Sequence, residues 1–269
     1  MFQNIVWLTG MPRSGTTWIS QIFASSPDVR VKFCPLFSYA FKNVLDENST
    51  SEEWQRLFEM VYVTEDDFMD QNHLRAKGLV PEFAKKAKPR TLIIKSNRFH
   101  NLTGSILQKC PNVRFVSIIR HPCATIHSWI TNPLEFPADQ DPKKQWRNGS
   151  CRKTDPGEFW GFEDWKRVTS LHFRLALESP DRFLICQYKN FLKSSLKSSL
   201  ELFDWLGLEM TQSTRDFIAA SQSKHDDHRR SIYKDPSKLN DWKISMSPDI
   251  AAEIMAELEG TELAVFLEE

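Results

Sequence analysis

The sequence predicts an α/β fold, a mostly parallel central sheet flanked by helices, on three observations. Short and almost uninterrupted apolar runs recur along the chain, as strands buried on both faces require. Most of these runs are followed by a stretch that reads as helix, the alternation that builds a parallel sheet. The first run, Asn4-Ile5-Val6-Trp7-Leu8-Thr9, opens into Gly10-Met11-Pro12-Arg13-Ser14-Gly15-Thr16-Thr17-Trp18, a glycine-punctuated turn that feeds an amphipathic segment. A strand, a glycine turn and a helix N-terminus in that order aim backbone N–H groups and the positive end of the helix dipole at an anion.

The elements follow in order. A first helix is expected over 16–24 and a short strand over 29–33. Residues 36–45, 51–60 and 65–77 read as helices, the second entered through Ser51, Glu53 and Trp54. Thr91-Leu92-Ile93-Ile94-Lys95 is a buried strand that ends in a cation, followed by a helix over 102–109. A second buried strand over 112–119 runs into Arg120-His121-Pro122, and a proline at a first helical turn predicts a helix over 123–130. A strand over 183–186, a helix over 194–206 stopped by Gly207, and a late helix over 248–258 complete the pattern. Residues 132–165 show little apolar periodicity but many Trp and Phe, which argues for an ordered loop.

Composition removes several classes of function. The chain has 269 residues, 41% of them apolar, enough for one sizeable domain covering 1–269. Lys plus Arg and Asp plus Glu balance at 35 each, so no global charge draws the chain to nucleic acid or to an anionic membrane. Nucleic acid is further disfavoured because the cations of 132–165 are interleaved with Asp139, Asp141, Asp155, Glu158, Glu163 and Asp164. No apolar run approaches the length of a membrane span, and a strand that begins near Asn4 leaves no room for a leader peptide. A cytoplasmic protein is expected. The five cysteines lack C-x-x-C spacing and the seven histidines lack H-x-x-x-H or H-E-x-x-H spacing, so no metal site is expected.

Ligands in parallel sheets bind beyond the carboxyl ends of the strands. Three cations stand there: Arg13 after the first strand, Lys95 at the end of the strand over 91–95, and Arg120 after the strand over 112–119. The loop spacing resembles the nucleoside-triphosphatase motif G-x-x-x-x-G-K-[ST], but Thr16 stands where that motif has Lys, and the cation is Arg13, inside the loop. Neither apolar strand ends in the Asp that would hold magnesium. The rim therefore suits a polyanion that arrives without a metal.

Four segments together resemble the sulfotransferases that use 3′-phosphoadenosine 5′-phosphosulfate (PAPS). Pro12-Arg13-Ser14-Gly15-Thr16-Thr17-Trp18 is similar to that family's 5′-phosphosulfate loop. Ile118-Ile119-Arg120-His121-Pro122, with Ser128 eight positions after Arg120, is similar to its 3′-phosphate motif. Phe183-Leu184-Ile185-Cys186-Gln187-Tyr188 resembles its strand leading to a Tyr-containing turn, and Arg229-Arg230 before Asp241-Trp242-Lys243 resembles its late basic loop. The resemblance implies a P-loop-like fold and PAPS as co-substrate, with no metal. It implies that Arg13 and the amides of Ser14, Gly15, Thr16 and Thr17 hold the 5′-phosphosulfate, that Trp18 lies against the adenine, that Tyr188 contacts the co-substrate, and that Arg120, Ser128 and Arg229 or Arg230 hold the 3′-phosphate. Arg13 and Lys95 would stabilise the leaving group.

The expected general base is less direct. Cytosolic relatives carry a His where Asn97 stands, and other branches carry a carboxylate where Cys34 stands. His100, three residues past Asn97, is the nearest replacement; His121, Cys34, Glu65 and Asp66 are weaker ones. The acceptor is expected to be a hydroxyl of a carbohydrate or small metabolite, lined by the aromatic and basic segment 132–165. Two other functions fit the same rim: a nucleotide-binding protein that has lost catalysis, and a P-loop kinase. The sequence leaves the oligomeric state open.

Overall fold

A computed structural model describes residues 2–226, 228, 231–233 and 240–268. Its centre is a five-stranded, wholly parallel sheet in the order β2-β3-β1-β4-β5. The chain runs β1 (Asn4–Thr9), α1 (Thr16–Ala24), β2 (Val29–Phe33), α2 (Ser51–Val63), α3 (Asn72–Arg75), β3 (Thr91–Lys95), α4 (Thr103–Lys109) and β4 (Val113–Ile119). It continues through α5 (Pro122–Ile130), α6 (Pro142–Gln145), α7 (Gly161–Glu178), β5 (Phe183–Gln187), α8 (Tyr188–Lys193) and α9 (Ser195–Leu206). It ends with α10 (Gln212–Ser223), α11 (Trp242–Ser245) and α12 (Pro248–Leu258). Among the described residues no helix is long and apolar enough to cross a membrane.

The two-residue period of each strand divides the core. Ile5 and Trp7 of β1, with Leu92, Ile94, Val113 and Phe115 from its neighbours, face α2 and α4. Val6 and Leu8, with Ile93, Val116 and Ile118, face α1, α9 and α10. Phe23 of α1 stacks on Phe203 of α9 at 5.4 Å, and Trp7 meets Trp54 of α2 edge-on. A third cluster joins α5, α7 and α12 through Ile126, Phe162, Trp165 and Ile254. Burying side chains of this size contributes roughly 1.5–3 kcal/mol each.

Two expected helices differ. Over 36–45 only the single turn Pro35–Phe37 forms, because the chain leaves it extended at Ser38 and the Ser38 hydroxyl bonds back to the Pro35 carbonyl. Over 65–77 only α3 forms. Asp66 accepts from the Met69 amide, and Asp70 from the Asp66 amide, so side chains hold the backbone in turns and Gln71 turns left-handed at φ 58°. In the other direction, α7, α8 and α10 are helices not expected from the sequence. Residues 161–165, expected as loop, are the first turn of α7.

The first connections place β2 and β3 on one side of β1, and the later ones place β4 and β5 on the other. The chain reversal therefore falls between the carboxyl ends of β1 and β4, the place where such sheets open a crevice. Two glycines close that crevice to backbone dimensions. A Cβ on Gly10 (φ 145°) would overlap the Ile118 carbonyl oxygen at the end of β4, and one on Gly15 (φ 91°) would overlap the Tyr188 ring. Gly10→Ala is therefore expected to lower unfolding stability by about 1–3 kcal/mol. Urea unfolding checks this, and a change below about 0.5 kcal/mol, the size of an ordinary surface substitution, contradicts the close approach.

Candidate active site

Three left-handed, non-glycine residues mark the strand ends: Arg13 (φ 72°) after β1, Cys34 (φ 40°) after β2 and Phe99 (φ 58°) after β3. Such conformations cost roughly 1–3 kcal/mol each and persist where the surroundings over-determine them. Arg13 shows how. Its Nε donates to Ser128 Oγ on α5 (3.2 Å), and its carbonyl accepts from Arg120 Nη1 (3.2 Å). The loop after β1, the residue after β4 and the middle of α5 are thereby joined around one guanidinium.

The loop presents its donors as its sequence implies. The Ser14 amide bonds back to the Met11 carbonyl, and the Gly15 carbonyl accepts from the amides of Trp18 and Ile19. Among the described residues the amides of Gly15, Thr16 and Thr17 have no acceptor. Arg120 is half-buried, with its guanidinium 5.4 Å above the Tyr188 ring and its Nε buried without a partner. Burial lowers its pKa, and Arg13 adds to that, while burial raises that of the Tyr188 phenol. An anion beside Arg120 would relieve both the orphaned donor and the cation–cation contact.

Lys95 completes the cluster. It is 2% exposed, and its ammonium lies 4.3 Å from the centre of the Phe33 ring. Burial pulls its pKa down to about 8; Cys34 and Glu135 oppose that pull, and Arg13 and Arg98 reinforce it. The structure thus brings Arg13, Ser128, Arg120, Tyr188 and Lys95 to one rim.

Other expected positions fall elsewhere. Trp18 is 8% exposed; its indole N–H donates to Ser221 Oγ of α10 (3.0 Å), and its ring meets Tyr188 and Phe191 edge-on. Arg229 and Arg230 lie outside the described residues. Trp242 of the Asp-Trp-Lys segment stacks on His121 at 4.6 Å, and His121 accepts from the Cys123 amide at the start of α5. The aromatic side chains of 132–165 pack inward: Trp146, Phe159, Phe162 and Trp165 in the third core cluster, Phe136 and Trp160 around Trp129.

The two positions where relatives carry a base meet in space. Cys34 Sγ lies 3.5 Å from Asn97 Oδ1 and 3.9 Å from Ser96 Oγ. His100 is 1% exposed and faces inward: Nδ1 is 3.3 Å from the Thr9 hydroxyl, and the ring lies against Phe159 and His172. His172 repeats the arrangement with Ser117 Oγ at 2.8 Å from its Nδ1. Burial holds both imidazoles unprotonated, His172 down to about 3 and His100 well below its ordinary value, with His172 adding to the effect at His100. Burial this complete turns His100 away from the rim.

The structure adds residues with little sequence signal. Glu135 reaches Arg13, with Oε2 3.5 Å from Nη1. Glu158 is buried, accepts from the Thr154 amide and hydroxyl, and pairs with Arg98, whose guanidinium lies 3.7 Å from the centre of the Phe37 ring. These contacts pin 154–158 across the end of β3. Asn132-Pro133 is turn chemistry, but nothing in it singles out Glu135.

Known proteins share this fold. Residues 6–212, more than half of the chain, match the model of the Sulfotransferase family, and the chain belongs to that family. No curated protein matches it in sequence. The fold is shared with the mouse sulfotransferase SULT7A1 complexed with PAP: 15% identity, 99% of this chain, 89% of the other, TM-score 0.57. It is shared also with the sulfotransferase domain of the Synechococcus PCC 7002 olefin synthase: 16% identity, 92% and 90% coverage, TM-score 0.55. A retinol dehydratase in complex with androsterone and PAP matches at 12% identity, 98% and 83% coverage, TM-score 0.55.

The buried imidazoles make acid stability a check on this site. Their folded pKa values lie below the unfolded value near 6.5, so the unfolded chain takes up protons first as pH falls. Stability is whole above pH 6.5 and declines below it, by about 1.4 kcal/mol per pH unit for each histidine. Urea unfolding from pH 7.5 to 5 should show that slope, and His172→Asn should roughly halve it; an unchanged slope would contradict the buried, unprotonated pair.

Proposed function

We propose that this chain transfers a sulfuryl group from PAPS to the hydroxyl of a small metabolite or carbohydrate. The observation that carries the reading is the junction of Arg13, Ser128 and Arg120 beside the free loop amides, with Lys95 on the same rim. One end of that rim suits a phosphosulfate, since amides and a forked guanidinium match its oxygens. The other end suits the 3′-phosphate: Arg120 has an orphaned Nε, and Ser128 offers a hydroxyl. Arg229 and Arg230 would add charge there. Tyr188 would border the nucleoside, with Trp18 packed against its ring.

Sulfuryl transfer places negative charge on the 5′-phosphate as it leaves. Arg13 and Lys95 are positioned to stabilise that charge, and Lys95 keeps its proton through neutral pH with a pKa of about 8. The acceptor side is apolar. Phe33 and Phe37 each meet Phe68, at 5.1 and 5.8 Å, and Lys95 and Arg98 lie over the two outer rings. This half-buried aromatic wall favours a ring-bearing alcohol over a polar sugar.

Calorimetry in EDTA with 3′-phosphoadenosine 5′-phosphate (PAP), 5′-AMP and ATP tests the donor site. PAP should bind at least tenfold more tightly than 5′-AMP without metal, and Arg120→Ala should remove most of that preference, because a charge-assisted contact contributes about 1.5–3 kcal/mol. ATP binding restored by magnesium would favour a kinase. PAP binding without transfer of label from PAPS to any of a panel of phenols, sterols and sugars would favour a binding protein.

A further inference from the structure

We propose that Glu135 is the general base that takes the proton from the acceptor hydroxyl, an assignment that rests on the sulfuryl-transfer reading above. Its backbone is held by a tight turn after α5: the buried Asn132 accepts at its carbonyl from the amides of Glu135 (3.0 Å) and Phe136 (2.8 Å), and at Oδ1 from the Leu134 amide (3.1 Å). Phe136 anchors the turn against the Trp129 ring at 5.3 Å. The side chain is thereby directed at Arg13 and lies within electrostatic reach of Lys95, the two cations placed to receive the leaving group.

The surroundings of this carboxylate point to a missing donor. Oε2 has almost no exposed surface and, among the described residues, no hydrogen-bond partner; its contact with Arg13 is a 3.5 Å ion pair. The Glu135 side chain keeps 30% of its surface and Arg13 keeps 25%, so the pair lies at the edge of solvent, where an acceptor can approach it. A buried carboxylate oxygen is costly without a donor, and an alcohol O–H is a donor of the right kind. Three other candidates are committed. The Cys34 thiol donates to Asn97, His100 faces Thr9 and Phe159, and Glu158 is filled by Thr154 and Arg98.

The step balances within the named reactants. Glu135 takes the hydroxyl proton, and the acceptor oxygen forms a bond to sulfur. The bond between sulfur and the 5′-phosphate oxygen breaks, and its electron pair leaves on that oxygen beside Arg13 and Lys95. The products are a sulfate ester and PAP, and protonated Glu135 returns its proton to water.

Glu135→Gln keeps the shape and removes the base. The test measures PAP affinity by calorimetry and transfer of ³⁵S from PAPS to water, 4-nitrophenol and 2-phenylethanol. The variant should bind PAP at least as tightly as the parent, within threefold or better, because Arg13 loses a competing carboxylate. Its turnover with 2-phenylethanol or water should fall about 10²–10⁴-fold, the usual contribution of a general base. The loss should be much smaller with 4-nitrophenol, whose acidic hydroxyl needs little help, and Glu135→Asp should recover part of it. Turnover within threefold of the parent, an equal loss with every acceptor, or a parallel loss of PAP affinity overturns the assignment. A parent chain that fails to bind PAP strikes the donor-site reading, and one that binds PAP but leaves the label on PAPS overturns transfer and base together.

Discussion

The structure turns on Arg13 and its left-handed backbone. Its carbonyl is held by Arg120 and its guanidinium by Ser128, so the ends of β1 and β4 and the body of α5 are fixed to one another through a single residue. Gly10 and Gly15 permit this, since the loop runs against the Ile118 carbonyl on one side and the Tyr188 ring on the other. The strain at Arg13 is offset by these contacts and by the packing beneath them. The result is a cation tied to Ser128 and Glu135 rather than extended into solvent, which suits a polyanion site.

That arrangement carries an electrostatic cost that the apo chain manages locally. Burial lowers the pKa values of Lys95 and Arg120, and the charge of Arg13 pushes both further down. Glu135 and the aromatic faces of Phe33 and Tyr188 relieve part of it. A phosphorylated ligand would relieve more, so binding energy is stored in the site before the ligand arrives. Glu135 then has a double position, as the counter-ion of Arg13 and as a carboxylate within electrostatic reach of Lys95.

Much of this was legible in the chain. The strands were readable because short, near-continuous apolar runs bounded by turn residues are what a parallel sheet covered on both faces demands. Lys95 and Arg120 were readable because each ends or directly follows such a run, and Arg13 because it lies in the glycine turn after the first. The Asp-rich stretch 65–77 misled because its carboxylates bond to nearby amides and hold turns. Helix α7 was obscured by the aromatic density at its start, although Phe162, Trp165, Val168, His172 and Leu175 do follow helical spacing. His100 looked like a base because it is near Asn97 in sequence; only the fold shows that its ring turns under the sheet toward His172. Glu135 carried no periodic or motif signal, since its contact with Arg13 is created by the meeting of two loops far apart in the chain.

The central claim is that one rim binds both ends of a 3′-phosphorylated adenosine phosphate around Arg13. A crystal structure of the chain with PAP tests it most directly. The 5′-phosphate is expected on the amides of Gly15 to Thr17 with Arg13 and Lys95, and the 3′-phosphate on Arg120 and Ser128. A nucleotide bound with its phosphates away from Arg13, or with Arg120 still closed on the Arg13 carbonyl and touching no phosphate, would contradict it.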